Sequence, residues 1–189
     1  MPRPDTAPDT APDMADGLTR VPPWRSAAFR LGVMVALATA AIDQAVKFWL
    51  LDEFDLPGRG RVMLTPFLDL VLAWNTGISY GLFADTGPLG QWALFALKMI
   101  AVVLLAVWLA RTGSRLSAVA LGLIIGGAIG NSLDRVIHGA VMDFVLFHVT
   151  TASFSFNWYV FNLADVAIVA GVVGLLYESL FVRDAAKAP

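Results

Sequence analysis

LSAVALGLIIGGAIGNSLDR, residues 116–135, decides the fold. The eighteen residues between Arg115 and Asp134 carry no charge. An apolar run of about that length suits a helix crossing a bilayer. Gly122, Gly126 and Gly130 recur every four residues and so share one helix face, which lets a second helix approach closely. The run then turns polar at Asn131, Asp134 and Arg135. It continues as VIHGAVMDF (136–144), an aromatic-rich strand-like stretch, and FNLAD (161–165). Asn131, Asp134, Arg135, Asp143, Asn162 and Asp165 therefore crowd beside segments apolar enough to enter lipid. Unpaired polar groups there cost several kcal/mol each, as an order of magnitude. Their number implies a polar site at a membrane surface.

The rest of the chain agrees. Of 189 residues, 58% are hydrophobic and 15% charged, with a mean hydropathy of +0.70. Soluble domains carry about a quarter charged residues. Three more apolar runs, about 27–51, 90–110 and 162–182, bring the expected spans to four. The fold class expected is a membrane all-α protein with a small β element. Residues 25–183 form the membrane domain, between a Pro/Asp/Ala-rich tail (1–24) and a short C-terminal tail (184–189). The N-terminal tail repeats TAPD at Thr6–Asp9 and Thr10–Asp13 and cannot build a core, so it is expected to be disordered. The net charge of −2 gives no basic field for nucleic acid. The absence of cysteine excludes disulfides and thiolate chemistry. His138 and His148 lack metal-ligand spacing and read as surface or interface residues; no metal and no cofactor are expected.

Between the spans lie two extramembrane segments, 52–87 and 136–161. Residues 61–74 are rich in Val, Leu and Phe around Thr65-Pro66 and suit short strands. SFSFNW, residues 153–158, alternates polar and aromatic side chains as a strand with one apolar face does. NTGISYGLF, residues 75–83, reads as a turn with exposed backbone donors. Arg20, Arg25, Arg30, Arg111, Arg115, Arg183 and Lys187 fall on one side of a four-span chain. By the positive-inside rule that side is cytoplasmic, with both termini. Asp43, Asn75 and the polar residues of 131–165 then approach the outer surface.

Within the first span Asp43 and Lys47 share a helix face at i, i+4, with acid before base, and read as a structural ion pair. Lys98, about 12 Å into the second span, is expected to snorkel or to pair structurally. Glu178, near the end of the fourth span, is expected to reach water. Asp143 follows the third span and Asp165 opens the fourth, so both carboxyls stand at one depth. Two carboxyls in a low dielectric share a proton, which allows one to activate water while the other polarises a carbonyl. Spacing alone leaves open that Asp165 only caps its helix and that Asp143 is a loop acid. It also leaves open a serine–lysine peptidase using Lys47 with Ser79 or Ser132, and a proton-coupled transporter with an Asp43–Lys47–Lys98 relay.

Asp43-Gln44 with Lys47, NTGISYGLF, GNSLDR with the following VMDF, and FNLAD together resemble lipoprotein signal peptidase (signal peptidase II) over about residues 31–182. The blocks stand in family order, which makes the likeness specific. The resemblance implies four transmembrane helices with an extracytoplasmic β-cradle. It implies an aspartyl endopeptidase of the bacterial inner membrane, inhibited by globomycin, that cuts prolipoproteins before a diacylglyceryl-modified cysteine. Asp143 and Asp165 match the catalytic pair. Asn75, Gly77, Asn131, Arg135 and Asn162 match substrate-binding or site-lining positions. Asp43 and Lys47 match a supporting pair, and Asp134 is expected to pair with Arg135 or to brace the loop. Prolipoprotein and membrane lipids are the implied partners, and a monomer is expected. Lys98 matches no family motif.

Overall fold

The computed structural model describes residues 26–76 and 87–182, with side chains described for 26–76 and 95–181. The N-terminal tail, residues 77–86 (Gly77 and Ser79 among them), Arg183 and Lys187 lie outside the described residues. Helix α1 spans Ala27–Phe48 and runs on through a wide π-helical turn, Trp49–Glu53. Ser26 caps its start, the hydroxyl accepting from the Phe29 N–H at 3.0 Å. The short helix α2 (Leu56–Arg59) leads into strands β1 (Val62–Thr65) and β2 (Leu68–Asn75). Helices α3 (Gly87–Arg111) and α4 (Arg115–His138) follow, then β3 (Val141–Thr150), β4 (Ser155–Phe161) and α5 (Leu163–Tyr177).

Among the described residues three helical segments are long and apolar enough to cross a membrane: α1 with its π turn, α4, and α5 with its extension. Helix α4 packs between α1 and α5 and also meets α3. Its glycines decide how closely. A Cβ on Gly122 would lie 2.5 Å from the Gly32 carbonyl oxygen of α1, and one on Gly127 2.5 Å from the Ala164 carbonyl oxygen of α5. Ala28, Ala36, Ala118, Leu121 and Ile125 fill the seam, while Met34, Leu37, Leu104 and Val169 face outward. Small residues inside and large aliphatics outside is the arrangement expected where lipid replaces water as solvent.

The four strands form one antiparallel sheet in the order β1-β2-β3-β4. A second core of Leu50, Leu56, Met142 and Phe144 joins the sheet to the end of α1. Two expectations are corrected here. His148 is buried, with Nε2 3.1 Å from Asp69, which also binds Arg61; the β2–β3 register brings these side chains together. Glu178 does not reach water, because the hydroxyl of buried Ser117 donates to it across α4 and α5. The aromatic strand stands where it was expected, but Phe156, Trp158 and Tyr159 are all exposed on the outermost strand.

Candidate active site

Helix α4 ends at Gly139, whose φ of +74° is a left-handed conformation that favours glycine. The chain reverses there and enters β3, which sets Asp143 beside the last turns of α4. In the β2–β3 register Ala73 faces Asp143. Asn75, two residues on, points to the same side, and its Nδ2 donates to Asp143 Oδ2 at 3.1 Å. Asp165 arrives from the other direction. Asn162 caps α5, its Oδ1 accepting from the Asp165 N–H at 2.9 Å, and Asp165 Oδ2 accepts from the Asn162 N–H at 3.2 Å. That reciprocal capping box fixes the first turn of α5 and the direction of its acid.

Two asparagines join the acids. Asn162, fully buried, donates from Nδ2 to Asp143 Oδ1 at 2.7 Å and to Asn131 Oδ1 at 2.9 Å. Asn131 in turn donates to Asp165 Oδ1 at 2.8 Å. The chain Asp143–Asn162–Asn131–Asp165 thus spans a strand and two helices. It brings the two sequence-identified acids to one cleft of about 360 Å³. Asn75, Asn131, Arg135 and Lys98 also line that cleft, with Trp158, Tyr159 and Phe161 from β4. Arg135 donates to the Asn131 carbonyl at 3.2 Å and lies in the field of Asp143, Asp134 and Asp165. Burial pushes the Asp143 carboxyl up to about 6; donation from Asn75 opposes this, the nearby Asp165 charge adds to it, and Asn162 and Lys47 oppose it.

Behind Asn131 lies a second polar cluster. Lys47 Nζ is 2.7 Å from both Asp43 Oδ2 and Asp134 Oδ2, and all three side chains are buried. Asp43 Oδ1 accepts from the Ala164 N–H at 3.0 Å, and Asp134 Oδ2 from the Met142 N–H at 3.1 Å. Gln44 fills the remaining acceptor, donating to Asp134 Oδ1 at 2.8 Å. Asp134 therefore pairs with Lys47 and braces the turn into β3. A buried ion pair of this kind loses about 3–5 kcal/mol when one partner is removed.

Lys98 is half-buried and lines the cleft. Gln44, which follows Asp43 in the sequence, joins the buried cluster through its contacts with Asp134 and Asp43. Ser132 is buried and donates to the Ala128 carbonyl at 2.6 Å, and Lys47 is held between two acids, which removes that serine–lysine pair. Among the described residues no cluster of His, Asp or Glu is arranged to hold a metal ion.

The family model described as signal peptidase (SPase) II matches residues 35–181. The chain belongs to the signal peptidase II family. A lipoprotein signal peptidase of Rhodopseudomonas palustris (strain TIE-1) is 59% identical over 160 residues, covering 85% of this chain and 98% of that one. Another, of Nitrobacter hamburgensis, is 61% identical with the same coverage. That of Methylorubrum extorquens is 54% identical over 162 residues, covering 86% and 91%. Two solved structures, each described as a bacterial membrane enzyme, share the fold. One has a TM-score of 0.64 at 23% identity, covering 79% of this chain and 92% of its own. The other has a TM-score of 0.65 at 22% identity, covering 84% and 91%. As a signal peptidase II the chain is a multi-pass membrane peptidase of the aspartic class.

Proposed function

We propose that this signal peptidase II removes signal peptides from bacterial prolipoproteins, cutting before the diacylglyceryl-modified cysteine, with Asp143 and Asp165 as its catalytic pair. The observation that carries the assignment is the asparagine-linked convergence of the two acids on one cleft. In this reading α3 is a fourth span and both termini are cytoplasmic. The sheet then forms a cradle at the outer surface of the inner membrane. In this reading the enzyme works as a monomer, and the tails 1–24 and 184–189 take no part in the chemistry.

The acyl chains of the substrate stay in lipid, each buried CH₂ contributing about 0.8 kcal/mol. They deliver the scissile bond to the cleft at headgroup depth. Asp143, whose carboxyl is raised by burial to about 6, carries the proton in the free enzyme up to that pH, and in that form polarises the scissile carbonyl. Asp165 takes a proton from water as the oxygen attacks. Asn75, Arg135 and Gly77 hold the peptide, while Asn131 and Asn162 hold the two acids in register. Asp43, Lys47 and Asp134 support Asn131 and the first turn of α5 from behind.

The test is cleavage of a diacylglyceryl-modified prolipoprotein peptide by the purified protein in detergent. Cleavage at the cysteine that survives a chelator, is blocked by globomycin and is lost in Asp143→Asn and Asp165→Asn is the expected result. Equal turnover by folded wild type and both variants would overturn the catalytic pair.

A further inference from the structure

Peptide hydrolysis creates an anion where the substrate had none. The water oxygen joins the carbonyl carbon, the C–N bond breaks, and the departing nitrogen takes a proton. At neutral pH the released signal peptide ends in a carboxylate and the cysteine carries an ammonium. The carboxylate is formed inside a cleft that already holds Asp143 and Asp165.

Cations facing that cleft come from two helices. Arg135 of α4 sits among Asp143, Asp134 and Asp165 and donates to the Asn131 carbonyl. Lys98 of α3 lines the same cleft, in the field of Asp165 and Arg135, and among the described residues it makes no hydrogen bond or ion pair. Lys47 of α1, behind Asn131, is taken up by Asp43 and Asp134. At neutral pH the new carboxylate adds to the charge of the acids already in the cleft, and Arg135 is engaged by the groups around it. Of the two cations that line the cleft among the described residues, Lys98 is the one left to receive a further anion.

We infer that Lys98 is a product-binding residue, its ammonium receiving the C-terminal carboxylate of the signal peptide as the bond breaks. This rests on the peptidase reading above. The test is competitive inhibition of the full chain, in uncharged detergent without phospholipid, by a synthetic signal peptide ending at the cleavage site. The peptide is compared as its C-terminal acid and its C-terminal amide. Wild type is expected to bind the acid about tenfold more tightly than the amide, as a charge-assisted contact warrants. Lys98→Met should bring the two within about twofold of each other, and Lys98→Arg should restore the preference. Thermal melting checks that each variant is folded, and Lys98→Gln replaces Lys98→Met if the latter is not. A wild type that binds acid and amide equally, or a folded Lys98→Met or Lys98→Gln that keeps the full preference, overturns the role of Lys98. Absence of cleavage by folded wild type defeats the peptidase reading instead, so the two failures are distinguishable.

Discussion

Two groups of acids lie back to back across Asn131, and they are treated in opposite ways. Asp43 and Asp134 are closed in behind. Each shares Lys47 and accepts a backbone N–H, and Gln44 takes up a further oxygen. Asp143 and Asp165 open on the cleft and are steered by asparagines, and among the described residues neither is ion-paired to an ammonium. Asparagine orients a carboxyl without fixing its charge, whereas lysine at 2.7 Å holds the charge in place. The first group therefore suits a structural brace and the second suits proton transfer. Asn131 ties the two together, accepting from Lys47 at 3.4 Å and donating to Asp165.

The largest effects should separate the groups by kind. Asp143→Asn and Asp165→Asn should each lower kcat by about 10³-fold or more while the protein remains folded in detergent. Asp134→Ala should do the reverse first, leaving Lys47 short of a buried partner and lowering stability by about 3–5 kcal/mol. Comparable melting of Asp134→Ala and wild type would show that the rear cluster is not a brace. Gly127→Val should follow at about 3 kcal/mol or less, because its side chain meets the Ala164 carbonyl and must push α5 from α4. That shift also separates Asn131 from Asp165, so activity should fall even where the variant remains folded.

Much of this was legible in the sequence, for local reasons. The uncharged run of α4, its glycines at four-residue spacing and the capping acid of FNLAD are patterns within one or two helical turns. So is the aromatic alternation that marks β4. What stayed hidden depends on how separate elements face one another. Lys98 looked like a snorkelling residue because α3 is apolar all round, and such a helix does not announce which face meets the cleft. His148 meets Asp69 only through a β2–β3 register broken by a bulge between Leu70 and Ala73. Glu178 meets Ser117 across 61 residues of chain. The Asp143–Asp165 pairing was suggested by equal depth and family resemblance. The asparagines that connect the two acids stand in separate motifs, and nothing local links one to the other.

The smallest predicted effect is on stability against pH, and it sharpens the contrast most finely. The Asp143 carboxyl lies at about 6 in the folded protein against an ordinary value of 3.8. The folded state therefore binds the proton more tightly than the unfolded chain does. Below the ordinary value both states are protonated and Asp143 contributes no penalty. As pH rises through the interval to about 6 the unfolded chain releases its proton first, and stability falls. Above that interval the loss amounts to about 2 kcal/mol, discounted for the water that reaches the cleft. Asp143→Asn, which cannot ionise, should melt higher than wild type at pH 7.5, and the difference should vanish near pH 4. In kinetics the same group should give kcat/KM an alkaline limb near pH 6 in the free enzyme, where the proton on Asp143 is lost. The limb in kcat should lie at higher pH, since bound peptide excludes water from the cleft and burial raises a carboxyl further. An acid limb near pH 6 in place of the alkaline one would exchange the roles of Asp143 and Asp165.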